Sequence, residues 1–323
     1  MSENAQQNAL GPAPRDGNAG RVERVILNPH DEVLCRLKQR FEAGKLHWRF
    51  YCVLWSLRKR ALRCRLNPDA KPSTGTSFAH LLDPGKISEN AVPVIINNYN
   101  RLDSLRILVD WLQTLETPVW IAILDNASTY PPLLNFYAEL DPATAHVIRL
   151  GYNSGFEGLE DAARCLRRCP YFVISDPDLV PYPDTPKDIL KRMCMALDAV
   201  PEVDMIGASL EIDDVPETYP LRNKVLDWET RFWPPRAKSV GDWGFEAWVD
   251  TTFAMYRKGS DVLQIAPAMR LDRPYVLKHV DWYTDPANLT DEQRFYASQS
   301  QPIASWTSRM YTPDGSVSPV RED

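Results

Sequence analysis

Two carboxylates with one proline between them, Asp176 and Asp178, directly follow an apolar run in YFVISDPDLV, residues 171–180. Unpaired carboxylates are costly away from water, so the pair belongs either in an exposed turn or beside a positive charge. Asp-x-Asp also supplies the hard oxygen ligands preferred by Mg2+ or Mn2+, and such a cation bridges phosphate oxygens. Three earlier apolar runs also end in small polar or acidic clusters: NNYNR (97–101), DNAST (125–129) and GYNSGF (151–156). An Asp just after a strand accepts from a ribose or a nucleobase, and Asn and Gly let the backbone approach a ligand closely. Loop polarity explains any one of these clusters; four in series suit a nucleotide that carries a diphosphate. Neither a P-loop nor a G-x-G-x-x-G fingerprint occurs, so ATPase and dinucleotide-binding readings lose their main support.

These clusters need strands to carry them. Runs at 92–96, 119–124, 146–150, 171–175 and 203–209 read as strands. Between them, 102–115 has apolar residues at 102, 105, 108, 109, 112 and 115, which is helical spacing. The segments 132–140, with proline near its first turn, 156–168 and 186–199 also read as helices, the last with Thr185 as the expected N-cap. Strand and helix in alternation predict an α/β fold, a mostly parallel sheet flanked by helices. In such sheets ligands bind outside the carboxyl ends of the strands, where all four clusters fall.

The totals exclude some classes. At 44% hydrophobic and 25% charged, the 323 residues have the composition of a soluble globular protein. A net charge of −6 supplies no basic field for a nucleic-acid partner. No run approaches the roughly 18 apolar residues that cross a bilayer, and residues 1–20 read as a disordered leader without a secretory apolar segment, so a cytoplasmic location is expected. The six cysteines form no C-x-x-C pair and read as reduced thiols. Residues 21–66 read as a basic, aromatic helical extension. Its part KLHWRFYCVLWSLRKRALRCR (45–65) carries Lys45, Arg49, Arg58, Lys59, Arg60, Arg63 and Arg65 with no acidic residue. Two readings stand: a peripheral membrane contact through residues 45–66, or a helix packed on the core with a solvated basic face. Residues 67–90 read as a linker and 312–323 as a tail.

The order VIINNYNR, ILDNAS, GYNSGF, SDPD resembles the nucleotide-sugar glycosyltransferases of the GT-A (Rossmann-like) fold, and family 2 most of all. The match covers about residues 91–210. It departs at Asn97 and Asn98, where Pro-Thr is commoner in the family. The resemblance implies a metal-dependent, inverting transfer of a hexosyl or deoxyhexosyl group from a nucleoside diphosphate sugar to an acceptor hydroxyl, with polysaccharide synthesis as the setting. It assigns Asn98, Tyr99, Asn100, Arg101, Asp125, Asn126, Asn153, Gly155 and Asp176 to the nucleotide-sugar pocket. It assigns Asp176, Asp178 and the late His279 to Mn2+ or Mg2+. Residues 211–311 then hold the acceptor half. There VGDWGFEAWVDTTFAMYRK (240–258) sets Asp242, Glu246 and Asp250 among aromatics, which suits a carbohydrate acceptor as well as a packed aromatic core. Asp250, expected at the start of a strand, is the first choice for the catalytic base, Glu246 the second and Asp281 the third. Other classes remain: a nucleotidyltransferase acting on sugar phosphates, whose first loop would be rich in Gly and basic residues, a metal-dependent phosphohydrolase, or a non-catalytic carbohydrate-associated protein.

Overall fold

The computed structural model describes residues 50, 52–54, 57, 82, 84–166, 168–260 and 267–299. The leader, most of the helical extension and linker, and the tail lie outside the described residues. Among the described residues, eleven strands form two sheets. The larger has the order β3 (His146–Arg149), β2 (Val119–Asp125), β1 (Val92–Asn98), β4 (Tyr171–Ser175), β9 (Ala254–Arg257), β6 (Met205–Gly207), β10 (Ala268–Arg270), β8 (Phe245–Glu246). Six of these strands run one way; only β9 and β8 oppose them. The expected mostly parallel α/β sheet is therefore present, with its strand order reversing between β1 and β4.

β1 is central, and its VPVIINN side chains are almost all buried. Its proline is tolerated because of where it falls. The amide of Val92 bonds Pro118 toward β2, so the N–H that Pro93 lacks would point toward β4, whose pairing begins only at Val94. β1 also runs two residues past the expected end, so Asn97 and Asn98 belong to the strand and not to the turn after it.

Helices cross between the strands: α1 (Asp103–Leu112), α2 (Pro131–Glu139), α3 (Gly155–Leu166) and α4 (Ile189–Ala199). α1 buries Leu105, Leu108, Val109 and Leu112, at the anticipated spacing. α4 starts three residues later than expected, and Thr185 does not cap it. The Thr185 hydroxyl instead donates to the carbonyl of Val276 and accepts from the amide of Tyr182. α5 (Arg222–Glu229) and α6 (Asp291–Ala297) complete the second half. α6 opens with a capping box, Thr290 and Gln293 bonding reciprocally.

The smaller sheet has the order β5 (Leu179–Pro181), β11 (Val276–His279), β7 (Ser209–Leu210). The sequence reading misses β5 and runs β6 and β7 together as one strand. Its pairing of Leu179 with His279 brings two distant stretches side by side.

α1 has no cap of its own. The carboxylate of Glu292, on α6, accepts the amides of Leu102 at 2.6 Å and Asp103 at 2.9 Å. Replacing Glu292 by alanine leaves both amides without this acceptor, so a loss of about 2 kcal/mol in denaturant unfolding is expected. A change below about 0.5 kcal/mol, the range of ordinary surface substitutions, would rule out this capping role.

In the extension, Phe50, Val53 and Leu57 are helical and about half exposed (53%, 51% and 55%), while Cys52 is buried. Among the described residues no helix is long and apolar enough to cross a membrane.

Candidate functional site

The ends of β1 and β4 adjoin where the strand order reverses, the crevice in which open α/β sheets bind ligands. The β1 turn is built on asparagines. Asn100 takes φ 53°, a left-handed conformation that asparagine tolerates. Its side-chain oxygen accepts the amides of Thr129 (2.7 Å) and Tyr130 (3.0 Å), tying this turn to the one after β2. Asn126 links three strand ends: it donates to Asn97 (2.7 Å) and accepts from the amide and hydroxyl of Ser154 (3.0 and 2.8 Å). Asn153 accepts the amide of Gly155 at 3.0 Å, and Gly155 opens α3 at φ 50°. Asn98 donates to the Arg101 carbonyl and to the Tyr137 hydroxyl, at 3.0 and 2.7 Å. The structure thus joins the first three polar clusters in one hydrogen-bonded rim, as their position at successive strand ends predicts.

Asp125 is fully buried and well occupied. Its carboxylate lies 2.7 Å from the Arg149 guanidinium and accepts from the Ser128 amide and the Tyr137 hydroxyl. Burial, with Asp125 adding to it, pushes the Tyr137 phenol well above its ordinary value. The sequence reading overlooks Arg149 and Tyr137, because pairing along β2–β3 and a helix return must be known before they can be seen to converge. Arg101 is also buried. It holds Asp281 with both carboxylate oxygens, at 2.7 and 2.8 Å, and lies 4.0 Å from the centre of the Tyr296 ring. Burial lowers the Arg101 pKa, but Asp281, Tyr296, Asp178 and Glu292 together outweigh it, and the net effect is a rise. Tyr99 meets the same Tyr296 ring edge-on at 6.0 Å.

The two carboxylates after β4 have different surroundings. Asp176 keeps part of its surface open. Its carboxylate accepts from the Thr251 hydroxyl at 2.8 Å, and its amide donates to the Thr251 carbonyl at 3.0 Å. Asp178 is buried, with His279 Nδ1 3.8 Å from its Oδ2. His279 is stacked flat on Trp282, ring centres 4.7 Å apart and planes 4° from parallel. Burial, then Asp178 and then Asp250, raise the Asp176 carboxyl well above the usual range. Burial also raises Asp178, against the opposing pull of His279.

Asp178 and His279 are the residues here that could hold a divalent cation. Oδ1 of Asp178 and Nδ1 of His279 are buried and have no hydrogen-bond partner. A buried acceptor left in that state costs on the order of 1–3 kcal/mol. Among the described residues no three acidic, histidine or cysteine side chains converge at ligating distance. Asp178 and His279 lie side by side there, with Asp176 turned toward Thr251.

Asp250 is exposed and lies one residue before Thr251, on the rim beside Asp176. It precedes β9 in a loop; the strand expected to begin there starts at Ala254. Glu246 is not brought to this place. It pairs with Met269 on the edge strand β8. With burial first, and with Glu202 and Asp204, it helps push the Cys52 thiol up to about 12.

No protein-family model matches the chain, and no curated protein matches it. Among solved structures it is similar to mannosyltransferase PcManGT from Pyrobaculum calidifontis in complex with GDP-Man and Mn2+. That likeness has 15% identity and a TM-score of 0.35, over 82% of this chain and 71% of the other. It is also similar to TarS of S. aureus, at 14% identity and a TM-score of 0.37, over 64% of this chain and 39% of that one. TarS in complex with UDP matches at 14% identity and a TM-score of 0.35, over 64% of this chain and 62% of that one.

Proposed function

We propose that the chain is a metal-dependent glycosyltransferase that moves a sugar from a nucleoside diphosphate sugar to an acceptor hydroxyl of a glycan, with inversion. The observation that supports it is the cluster at the β1/β4 switch point, where Asp178 and His279 present unsatisfied buried ligand atoms beside a half-open Asp176 and an exposed Asp250. Asp178 and His279, with Asp176, would hold Mn2+ or Mg2+. When bound, the ion supplies charge neutralisation for the departing diphosphate. The β1–β3 rim, with Tyr99, Asn100 and Asn153, lines the place for the nucleoside. The Asp250 carboxylate, within about 3 Å of the acceptor hydroxyl, takes its proton as the oxygen attacks the anomeric carbon from the face opposite the diphosphate. Thr251 steadies Asp176 through its hydroxyl. The aromatic stretch around Trp243 and Trp248 is the expected acceptor wall.

Thermal unfolding tests this reading. Mn2+ should raise the melting temperature, and a nucleoside diphosphate sugar should raise it further only when Mn2+ is present. The pH dependence has a definite sign. The contribution of a carboxyl whose folded value is raised is fully present below its unfolded value near 3.9 and is lost as pH climbs through the raised one. Without metal, Asp176 and Asp178 therefore weaken the fold as pH rises, and the gain from Mn2+ should grow from acid toward neutral pH. A gain that is absent, or the same at every pH, would count against the site.

A further inference from the structure

Residues 247–253 run as a strap along the rim of the large sheet, from β10 past the carboxyl ends of β6 and β4. Three contacts trace its path. The amide of Ala247 donates to Ala268 of β10 at 3.3 Å, Val249 lies against Gly207 at the end of β6, and Thr251 exchanges bonds with Asp176 after β4. A Cβ at Gly207 would come within 2.6 Å of Val249, so the strap passes as close to β6 as a backbone without a side chain permits. Asp250 stands exposed between these anchors.

The remaining anchor is Arg270. It is buried, and its Nε donates to the carbonyl of Trp248 at 2.9 Å. Its Nη1 donates to Glu229 at 2.6 Å, and its guanidinium lies 4.5 Å from the centre of the Phe232 ring. Both members of this ion pair have side chains only 4% exposed. Such a pair adds little stability, because losing water offsets the attraction. It does add direction. A guanidinium is a rigid plane whose donors keep fixed angles, so Glu229 on one edge, with Phe232 beneath, keeps the Nε–H aimed at Trp248.

We propose that Arg270, held by Glu229, is a positioning residue: it fixes the strap at Trp248 and thereby sets the Asp250 carboxylate against the site at Asp176. This rests on the reading of Asp250 as the base. The test compares the wild-type protein with Arg270→Met/Glu229→Leu, which removes the pair without stranding either charge, and with Arg270→Lys, which keeps a charge for Glu229 but not the planar donor. Donor binding is followed by the Mn2+-dependent thermal shift with the nucleoside diphosphate sugar that the wild type turns over. In the paired variant that shift and the KM for donor should be unchanged, while kcat falls roughly tenfold to hundredfold, the cost of a small misplacement of a reacting group. Arg270→Lys should recover part of the rate, and it carries the same comparison if the paired variant does not fold. An unchanged kcat in a folded variant overturns the inference alone. A wild-type protein that binds no such donor overturns the functional reading and this inference with it.

Discussion

Replacing Asp178 by asparagine should lower sugar transfer about a thousandfold or more and leave the metal-free protein at least as stable as before. The opposite signs come from one cause. Asp178 is buried, its carboxyl is raised by that burial, and Asp281 adds like charge. In the absence of a cation this is a desolvated acid with one oxygen unpartnered, so an amide of the same shape relieves the fold. The same oxygen is the one that a divalent ion would take. A Lewis acid supplies several kcal/mol to a departing phosphate, and each 1.36 kcal/mol is a factor of ten in rate. Turnover, metal-free melting temperature and the Mn2+-induced shift should be measured together. Retained turnover with a full Mn2+ shift would remove Asp178 from the metal site. A metal-free protein that loses several kcal/mol would make Asp178 a structural group.

The second large effect belongs to Asp250. Asp250→Asn should bind Mn2+ and donor as the wild type does and lose on the order of a hundredfold to ten-thousandfold in kcat, the usual share of a general base. The decisive readout is the split between kcat, which should fall, and the Mn2+ and donor affinities, which should not. Glu246→Gln is the matched control. Glu246 lies on the edge strand β8, paired with Met269 and near enough to Cys52 to raise its thiol, whereas Asp250 is among the charges that raise Asp176. A normal rate in Asp250→Asn together with a collapsed rate in Glu246→Gln would reverse the two roles.

Much of this arrangement is legible in the sequence, for physical reasons. β1, β2 and β4 are largely buried strands that run parallel, which favours continuous apolar runs. The helices between them show the 3.6-residue period, so their existence is plain and only their ends shift. α4 is the instructive failure. Thr185 has the chemistry of a cap, but its hydroxyl is taken by the carbonyl of Val276, a partner that exists only once β11 has docked. β5 is three residues long and follows a turn, too short for any period to register. The non-local pairs are the least visible. Asp178 with His279, Arg101 with Asp281, Asp125 with Arg149 and Glu229 with Arg270 each need a strand register or a helix return before they meet. A resemblance to other chains supplies His279; nothing in the local pattern around Arg149 or Arg270 does.

The bond between Glu292 and the start of α1 is more than a local cap. Together with Asp281 on Arg101 and Tyr296 beneath that guanidinium, it makes residues 281–296 part of the first turn of the sheet. On a ribosome, strands β1 to β4 emerge long before those residues do, so Arg101 waits without its carboxylate and the amides of Leu102 and Asp103 wait on water. The boundary near residue 210 therefore divides the sequence by motif content but does not mark a line along which the molecule could be cut. A truncated product ending there would carry all four polar strand ends and still lack the groups that hold the first of them in shape.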